Sequence, residues 1–379
     1  MDFDLMNRSI YSSPVAFFLP ILQGGGAERV ITLLTNRLSR RGLRVDLVLA
    51  QATGALLTQV ADDVNVLDLG ATRTLFALPG LIGYLRRERP TSVLSTLAHA
   101  SIVASLAIAM SGICTRHVIR EANFFSEQKK RATRPREKTT MRLATWAYRR
   151  ANKVIAVSRE MAEDLQDALG LPVEKIVTIY NPVDLEQLRI LSQMAVNHKW
   201  LVGDKAVPVI LGIGRLEAQK DFATLLRAFA QVRSRQDCRL IILGEGSLRY
   251  ELEALARKLG VAEHVDLPGF VNNPYAYLVR ASVFVLSSTH EGMPNALIEA
   301  LALGVPVVAT NCRSGPAEIL EGGRWGRLTP VGDASAMAQA IQEALAQPCS
   351  ITDEIIESVR ERFDLDKIVD RYLEVLSDD

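Results

Sequence analysis

Glu291 and Glu299 stand with seven residues between them, and the stretch opens Glu291-Gly-Met-Pro-Asn295 before turning apolar. In front lies the apolar run Val283-Phe-Val-Leu286 with the polar Ser287-Ser-Thr-His290. Behind lies Ala300-Leu-Ala-Leu-Gly304, followed by Val305-Pro-Val-Val-Ala309. This order spells strand, polar loop, helix, glycine stop and strand, the grammar of a parallel α/β unit. Pro294 suits a first helical position, and Gly304 the residue just past the end. A helix start pointing out of a sheet presents free amides and a positive dipole end, which favour an anion such as phosphate. Glu291 precedes that start, while Glu299 lies five residues past Pro294, roughly 7.5 Å further along the axis. The two carboxylates are badly placed to act as an acid/base pair on one bond. They suit hydroxyls at two ends of a ligand whose phosphates lie between them.

Cations follow the same logic. Gly212-Ile-Gly-Arg-Leu-Glu-Ala-Gln-Lys-Asp-Phe222 comes after the apolar run Val207–Gly212, which places Arg215 and Lys220 on a loop at a strand's carboxyl end. Open α/β sheets bind ligands there, and fixed cations would neutralise charge building on a departing diphosphate. Either residue alone would read as a solvated loop charge. Gly244-Glu-Gly246 and Pro268-Gly-Phe-Val271 end two further strands. The first allows close backbone approach, and Phe270 and Val271 could wall a nucleobase. A turn needs glycine anyway, so both signals are weak alone. Near the start, Val15–Leu19 is followed by Gly24-Gly-Gly26, which lets backbone approach a phosphate or sugar. The loop is not G-x-G-x-x-G, and no acidic residue follows the second strand to hold a ribose, which disfavours a dinucleotide.

The elements that must position these groups alternate along the chain. Strand-like runs at Val45–Ala50, Val64–Leu69, Ser92–Thr96, His117–Arg120, Val154–Val157 and Ile176–Ile179 are separated by helical periodicity. Ser158 can cap the helix after Val157. Asn181-Pro-Val-Asp184 is turn-rich, and the α/β rhythm then restarts. At 379 residues the chain has room for two domains, expected at 1–185 and 186–352, with a terminal helical segment from 353 to 379. Hydrophobic content of 48% and charged content of 23% are those of a globular protein. Lys+Arg 44 against Asp+Glu 43 gives no electrostatic footprint for nucleic acid. Cys114, Cys238, Cys312 and Cys349 lie far apart, so neither a disulfide framework nor a zinc site is expected, and a cytoplasmic location fits. Residues 1–13 have no apolar core of a signal peptide. Leu97–Cys114 is the most membrane-like stretch, but it contains His99 and reads as a buried strand and helix.

Together the Glu291/Glu299 pair, Gly212-x-Gly-Arg with Lys220-Asp, Gly244-Glu-Gly246 and Gly24-Gly-Gly-Ala-Glu-Arg29 resemble the family 4 glycosyltransferases, in order, over residues 15–376. The resemblance implies a GT-B fold, two Rossmann-like domains facing a cleft, with a C-terminal helix crossing back to the first. It implies a nucleotide-sugar donor on the second domain, an acceptor on the first, and retention of anomeric configuration without metal or cofactor. UDP is the expected carrier, with guanosine left open. By position, Glu299 matches the glutamate on the donor ribose and Glu291 the one near the transferred sugar. The Gly292, Met293, Pro294 and Asn295 segment matches the contact to sugar and phosphates, and Arg215 with Lys220 the diphosphate pair. Gly24, Gly25 and Gly26 match the loop closing on the phosphates. His99 matches, by position, a histidine touching the sugar. Glu121 and Asn123, after a strand ending at Arg120, are acceptor candidates.

Asp2-Phe-Asp4 and Asp364-Leu-Asp366 spell the metal-binding motif of other transferases, yet neither follows an apolar strand. Lys129–Arg150 holds nine Lys/Arg and one acid, punctuated by Met141, Leu143, Trp146 and Tyr148. Near an anionic lipid surface each cation is worth about 1 kcal/mol, so peripheral attachment to the inner face of a membrane, where a lipid-linked acceptor waits, is one expectation and a solvated basic face the other. A sugar-nucleotide epimerase or a phosphorylase of the same fold and a catalytically idle nucleotide-sugar binder are the alternative functions. The phosphorylase would need a pyridoxal-binding lysine that is not evident.

Overall fold

A computed structural model describes residues 13–202, 207–347 and 353–377. The chain forms two compact units: one runs up to Pro182 and takes back the chain from Leu365, and the other is Val183–Asp364. Asp2, Asp4 and Cys349 lie outside the described residues.

The first unit carries β1 (Val15–Leu19), β2 (Val45–Leu49), β3 (Asn65–Asp68), β4 (Ser92–Thr96), β5 (Arg116–Glu121), β6 (Lys153–Ala156) and β7 (Ile176–Thr178). They form one parallel sheet in the order β3-β2-β1-β4-β5-β6-β7. Val15-Ala-Phe-Phe-Leu19 is buried at every position, the pattern of a strand covered on both faces. Burying Phe17 and Phe18 contributes about 2 kcal/mol each. Helix Gly26–Arg40 turns Val30, Ile31, Leu34 and Leu38 inward at helical spacing. Ser158 caps Arg159–Leu169 by accepting from the Met161 amide at 3.2 Å. Strand order reverses between β1 and β4, so the loops leaving their carboxyl ends flank the switch point where open sheets leave a crevice.

The second unit repeats the scheme with β8 (Val209–Ile213), β9 (Arg239–Leu243), β10 (Val265–Gly269), β11 (Val283–Leu286), β12 (Val307–Thr310) and β13 (Arg327–Thr329). Their order is β10-β9-β8-β11-β12-β13, all parallel, with the switch between β8 and β11. The loops after β8 and β11 carry Lys220 and Glu291, residues 71 apart in sequence. Helix Phe222–Arg233 seals this core with Phe222, Leu225, Leu226 and Phe229.

The terminal segment differs from the single element expected. Asp353–Phe363 and Leu365–Ser377 are separate helices, broken at Asp364, which bridges to Val183. The first packs on helix Asn295–Ala302 within the second unit, and only the second joins the first unit. There Asp366 pairs with Arg37 at 3.2 Å and with Arg41 at 2.8 Å, so this aspartate serves packing. Fully buried Arg120 donates to Tyr372 Oη of the same helix at 3.0 Å and to Asn181 Oδ1 at 2.5 Å, rather than pairing with an acid. The apolar stretch from Leu97 contains no strand: β4 ends at Thr96 and helix Ala98–Ser111 follows at once. Among the described residues no helix is long and apolar enough to cross a membrane.

His117, in β5, is enclosed by two serines, with Ser95 Oγ 2.9 Å from Nε2 and Ser105 Oγ 3.3 Å from Nδ1. Burial pushes its pKa down to about 3, so the folded protein holds it neutral. The unfolded chain takes up that proton near pH 6.5, so the contribution is complete above pH 6.5 and is lost as pH falls toward 3. Urea titrations between pH 7 and 4 should therefore show wild-type stability falling more steeply than that of His117→Gln. The excess slope should approach 1.4 kcal/mol per pH unit, on the order of one proton. Parallel curves would contradict it.

Candidate functional site

At the switch point of the second unit, Lys220 Nζ lies 2.5 Å from Glu291 Oε1, with the carboxylate 8% exposed and the lysine side chain 18%. Lys220 ends a 3-10 turn, Ala218–Lys220, whose next residue Asp221 adopts φ 42°. Aspartate tolerates this left-handed geometry, and its carboxylate accepts from the Thr224 amide at 3.2 Å to start the next helix. Ser287 Oγ donates to the Lys220 carbonyl at 2.6 Å. A Cβ on Gly214 would lie 3.1 Å from Cγ, Cδ and Cε of Lys220, so the glycine makes room for the lysine stem. Glu291 Oε1 also accepts from Ser288 Oγ at 2.5 Å. The Cys312 thiol, buried near this pair, is pushed up to about 12 by burial and by Glu291, which keeps it protonated.

The helix after Glu291 is Asn295–Ala302, starting one residue later than expected, with Pro294 at its N-cap in extended conformation. The cause is the loop behind it. Ser314 Oγ donates to the Gly292 carbonyl at 2.7 Å, and Gly315, at φ 88°, lies so close that a Cβ would sit 2.5 Å from Pro294 Cδ. Glu299 is 7% exposed and accepts from Tyr275 Oη at 3.1 Å. Met293 is buried, while Gly292 and Asn295 are half-exposed.

Arg215 is exposed, and its charge helps hold Glu217 below the usual carboxylate range after the hydrogen bonds from Ser247. Phe270 is 68% exposed and Val271 half-buried. The Gly244 and Gly246 loop approaches its own chain closely. A Cβ on Gly244 would lie 1.9 Å from the Gly214 carbonyl oxygen, and one on Gly246 would lie 2.4 Å from that of Leu216. These glycines therefore press the Arg215 loop into place.

In the first unit, Gly24, Gly25 and Gly26 lead into helix Gly26–Arg40, and Glu28 folds back over them. Its Oε2 accepts from the Gly24 amide at 2.8 Å and the Gly25 amide at 3.2 Å, so these two amides are engaged within the chain. His99 is exposed at the start of Ala98–Ser111, after Leu97 held at φ 72°. Leu97 is strained there, and the packing around His99 lowers the histidine's pKa, leaving a neutral imidazole at pH 7. Glu121 departs from its expected surface role: it is 1% exposed, Oε1 takes the Ala122 and Asn123 amides at 3.0 and 2.8 Å, and Oε2 takes the Tyr148 hydroxyl. Burial raises its pKa, and the carboxyl serves the turn; Asn123 beside it is exposed.

The basic segment is the helix Phe125–Arg131 and the helix Pro135–Arg150, with all nine cations exposed. Helical period turns Ala144, Ala147 and Tyr148 inward, so Tyr148 is a core residue and not a surface aromatic. Trp146 is half-buried under Arg150, whose guanidinium lies 5.6 Å from its ring centroid, and Leu143 is 42% exposed. Among the described residues no group of three or more His, Cys, Asp or Glu is placed to hold a metal ion.

Ser287, Ser288, Tyr275 and Glu28 were not anticipated as functional. Ser288-x-x-Glu291 and Gly25-x-x-Glu28 carry a spacing signal in hindsight, whereas Tyr275 carries none.

Two family models match the chain in succession: Glycosyltransferase Family 4 over residues 24–187 and Glycosyl transferases group 1 over residues 207–347. The chain belongs to the glycosyltransferases. It is 35% identical to a Campylobacter jejuni enzyme named as an N-acetylgalactosamine-N,N'-diacetylbacillosaminyl-diphospho-undecaprenol 4-alpha-N-acetylgalactosaminyltransferase, over 54% of this chain and 53% of that protein. It is 31% identical to the lipopolysaccharide core biosynthesis glycosyltransferase LpsE of Rhizobium meliloti, over 50% of this chain and 58% of that one. These alignments span about half the length of each relative. The crystal structure of Anabaena HepE in complex with UDP and glucose superposes with a TM-score of 0.81 at 21% identity, covering 97% of this glycosyltransferase and all of that chain. That likeness shows the GT-B fold.

Proposed function

We propose that this glycosyltransferase moves a sugar from a nucleoside diphosphate, with UDP as carrier, to a glycan or lipid-linked acceptor of surface polysaccharide synthesis, retaining configuration and without a metal. The observation that carries the reading is the pair of half-buried Lys220 and buried Glu291 beside the start of helix Asn295–Ala302, with Glu299 on that helix. The helix start and Lys220 suit a diphosphate, and exposed Arg215 adds a second positive charge. Glu299 suits the ribose hydroxyls, and Tyr275 steadies it. Glu291 suits a hydroxyl of the sugar. Phe270 and Val271 suit the base.

Transfer then proceeds on one face of the sugar. The bond from the anomeric carbon to the diphosphate oxygen breaks while the acceptor oxygen bonds to that carbon. The departing phosphate oxygen takes the acceptor hydroxyl's proton, and Lys220 with Arg215 stabilises the charge left on it. His99, neutral and exposed, and Asn123 are the groups of the first unit offered to substrate.

Thermal-shift screening against nucleotide-sugars should find a stabilising donor, and that donor should be consumed when acceptor is added. Glu299→Ala and Tyr275→Phe should weaken nucleotide binding, the latter by about fivefold. Lys220→Ala should lower kcat by about 10²-fold with binding less affected. Unaltered kinetics in all three would contradict the roles.

The nine exposed cations of Lys129–Arg150 support peripheral attachment to an anionic membrane, and the Campylobacter relative's name contains a diphospho-undecaprenol substrate. Flotation with phosphatidylglycerol vesicles should carry the protein upward. Reversing Arg134, Arg136, Lys138 and Arg142 to glutamate should abolish this, and equal flotation would rule the attachment out.

A further inference from the structure

Two consecutive serines, Ser287 and Ser288, directly follow β11 and reach different partners. Ser287 Oγ donates to the backbone carbonyl of Lys220 at 2.6 Å, which fixes the root of the lysine. Ser288 Oγ donates to Glu291 Oε1 at 2.5 Å, the same oxygen that takes the lysine ammonium. Ser288 is itself 0% exposed, and its carbonyl accepts from Thr310 Oγ1 of β12 at 2.6 Å. The hydroxyl of Ser288 thus has one place to point. Both donors saturate Oε1, while Oε2 takes no hydrogen bond from the described residues and is not among the buried unpaired atoms.

We infer that Ser288 is a positioning residue for sugar transfer, locking the Glu291 carboxylate so that Oε1 stays with Lys220 and Oε2 is the oxygen presented to a sugar hydroxyl. The inference rests on the functional reading above and deepens it. A lysine alone can follow a carboxylate through a range of rotamers, because an ammonium is a point charge without directional demand. The short, buried hydroxyl supplies the direction. A glutamate free to turn would bond to lysine through either oxygen, and loss of alignment by about 1 Å costs on the order of 10² in rate.

The test is Ser288→Ala, with Ser288→Cys as a variant of similar size and weaker donor strength. Hydrolysis of the donor nucleotide-sugar and its transfer are measured alongside the Kd for the nucleoside diphosphate alone and the Tm. The alanine variant should lose about 10²-fold in kcat, the cysteine variant less, with Kd within twofold of wild type. A crystal structure of Ser288→Ala should show the Glu291 carboxylate turned. A wild-type kcat in a folded Ser288→Ala protein overturns the inference, as does a loss explained wholly by a lowered Tm. A wild-type protein that turns over no nucleotide-sugar overturns the functional reading and this inference with it.

Discussion

A lysine ammonium and a glutamate carboxylate, both largely withdrawn from water and 2.5 Å apart, set the terms for the second unit. Removing two charges from solvent costs several kcal/mol per ion before their attraction is counted, so such a pair does little for stability by itself. It persists only where the surrounding fold supplies further hydrogen bonds and holds the partners still. Here the supports are specific: Ser288 on the carboxylate, Ser287 on the lysine's own carbonyl, and Asp221 capping the helix that follows. The strand order makes the meeting possible, because β8 and β11 are neighbours although their loops are far apart in sequence.

The rest of the site is built from close backbone approach. Gly244 and Gly246 press on the Gly214–Leu216 loop, Gly214 leaves space for the lysine stem, and Gly315 meets Pro294. A methyl group at Gly244, Gly246 or Gly315 would collide with backbone or a proline ring. The helix start beside Glu291 therefore owes its position to a loop on the next strand, and Glu299 is oriented by Tyr275 from a separate short helix. In the first unit a related helix start is closed by its own residue, since Glu28 occupies the Gly24 and Gly25 amides.

Much of this was legible in the sequence. Apolar runs ending in glycine-rich or polar loops gave the parallel units, because a strand buried on both faces has no other composition to adopt. The positions of Arg215, Lys220 and Glu291 on loops after a strand's carboxyl end, and of Glu299 on the helix that follows, were readable from the alternation of apolar runs and loops. What stayed hidden depends on contacts between distant segments. Tyr275 reaches Glu299 across 24 residues, and Tyr148 reaches Glu121 across 27. The second contact converts an expected surface carboxylate and an expected surface aromatic into a buried pair. The break at Asp364 was equally hidden, since periodicity continues on either side of it while packing partners change.

The most direct measurement is a crystal structure of the protein with a nucleoside diphosphate bound. Phosphate density is expected at the start of helix Asn295–Ala302 within reach of Lys220, with the ribose hydroxyls on Glu299. A nucleotide seated away from those residues, or a Glu299 carboxylate making no contact with it, would contradict the account.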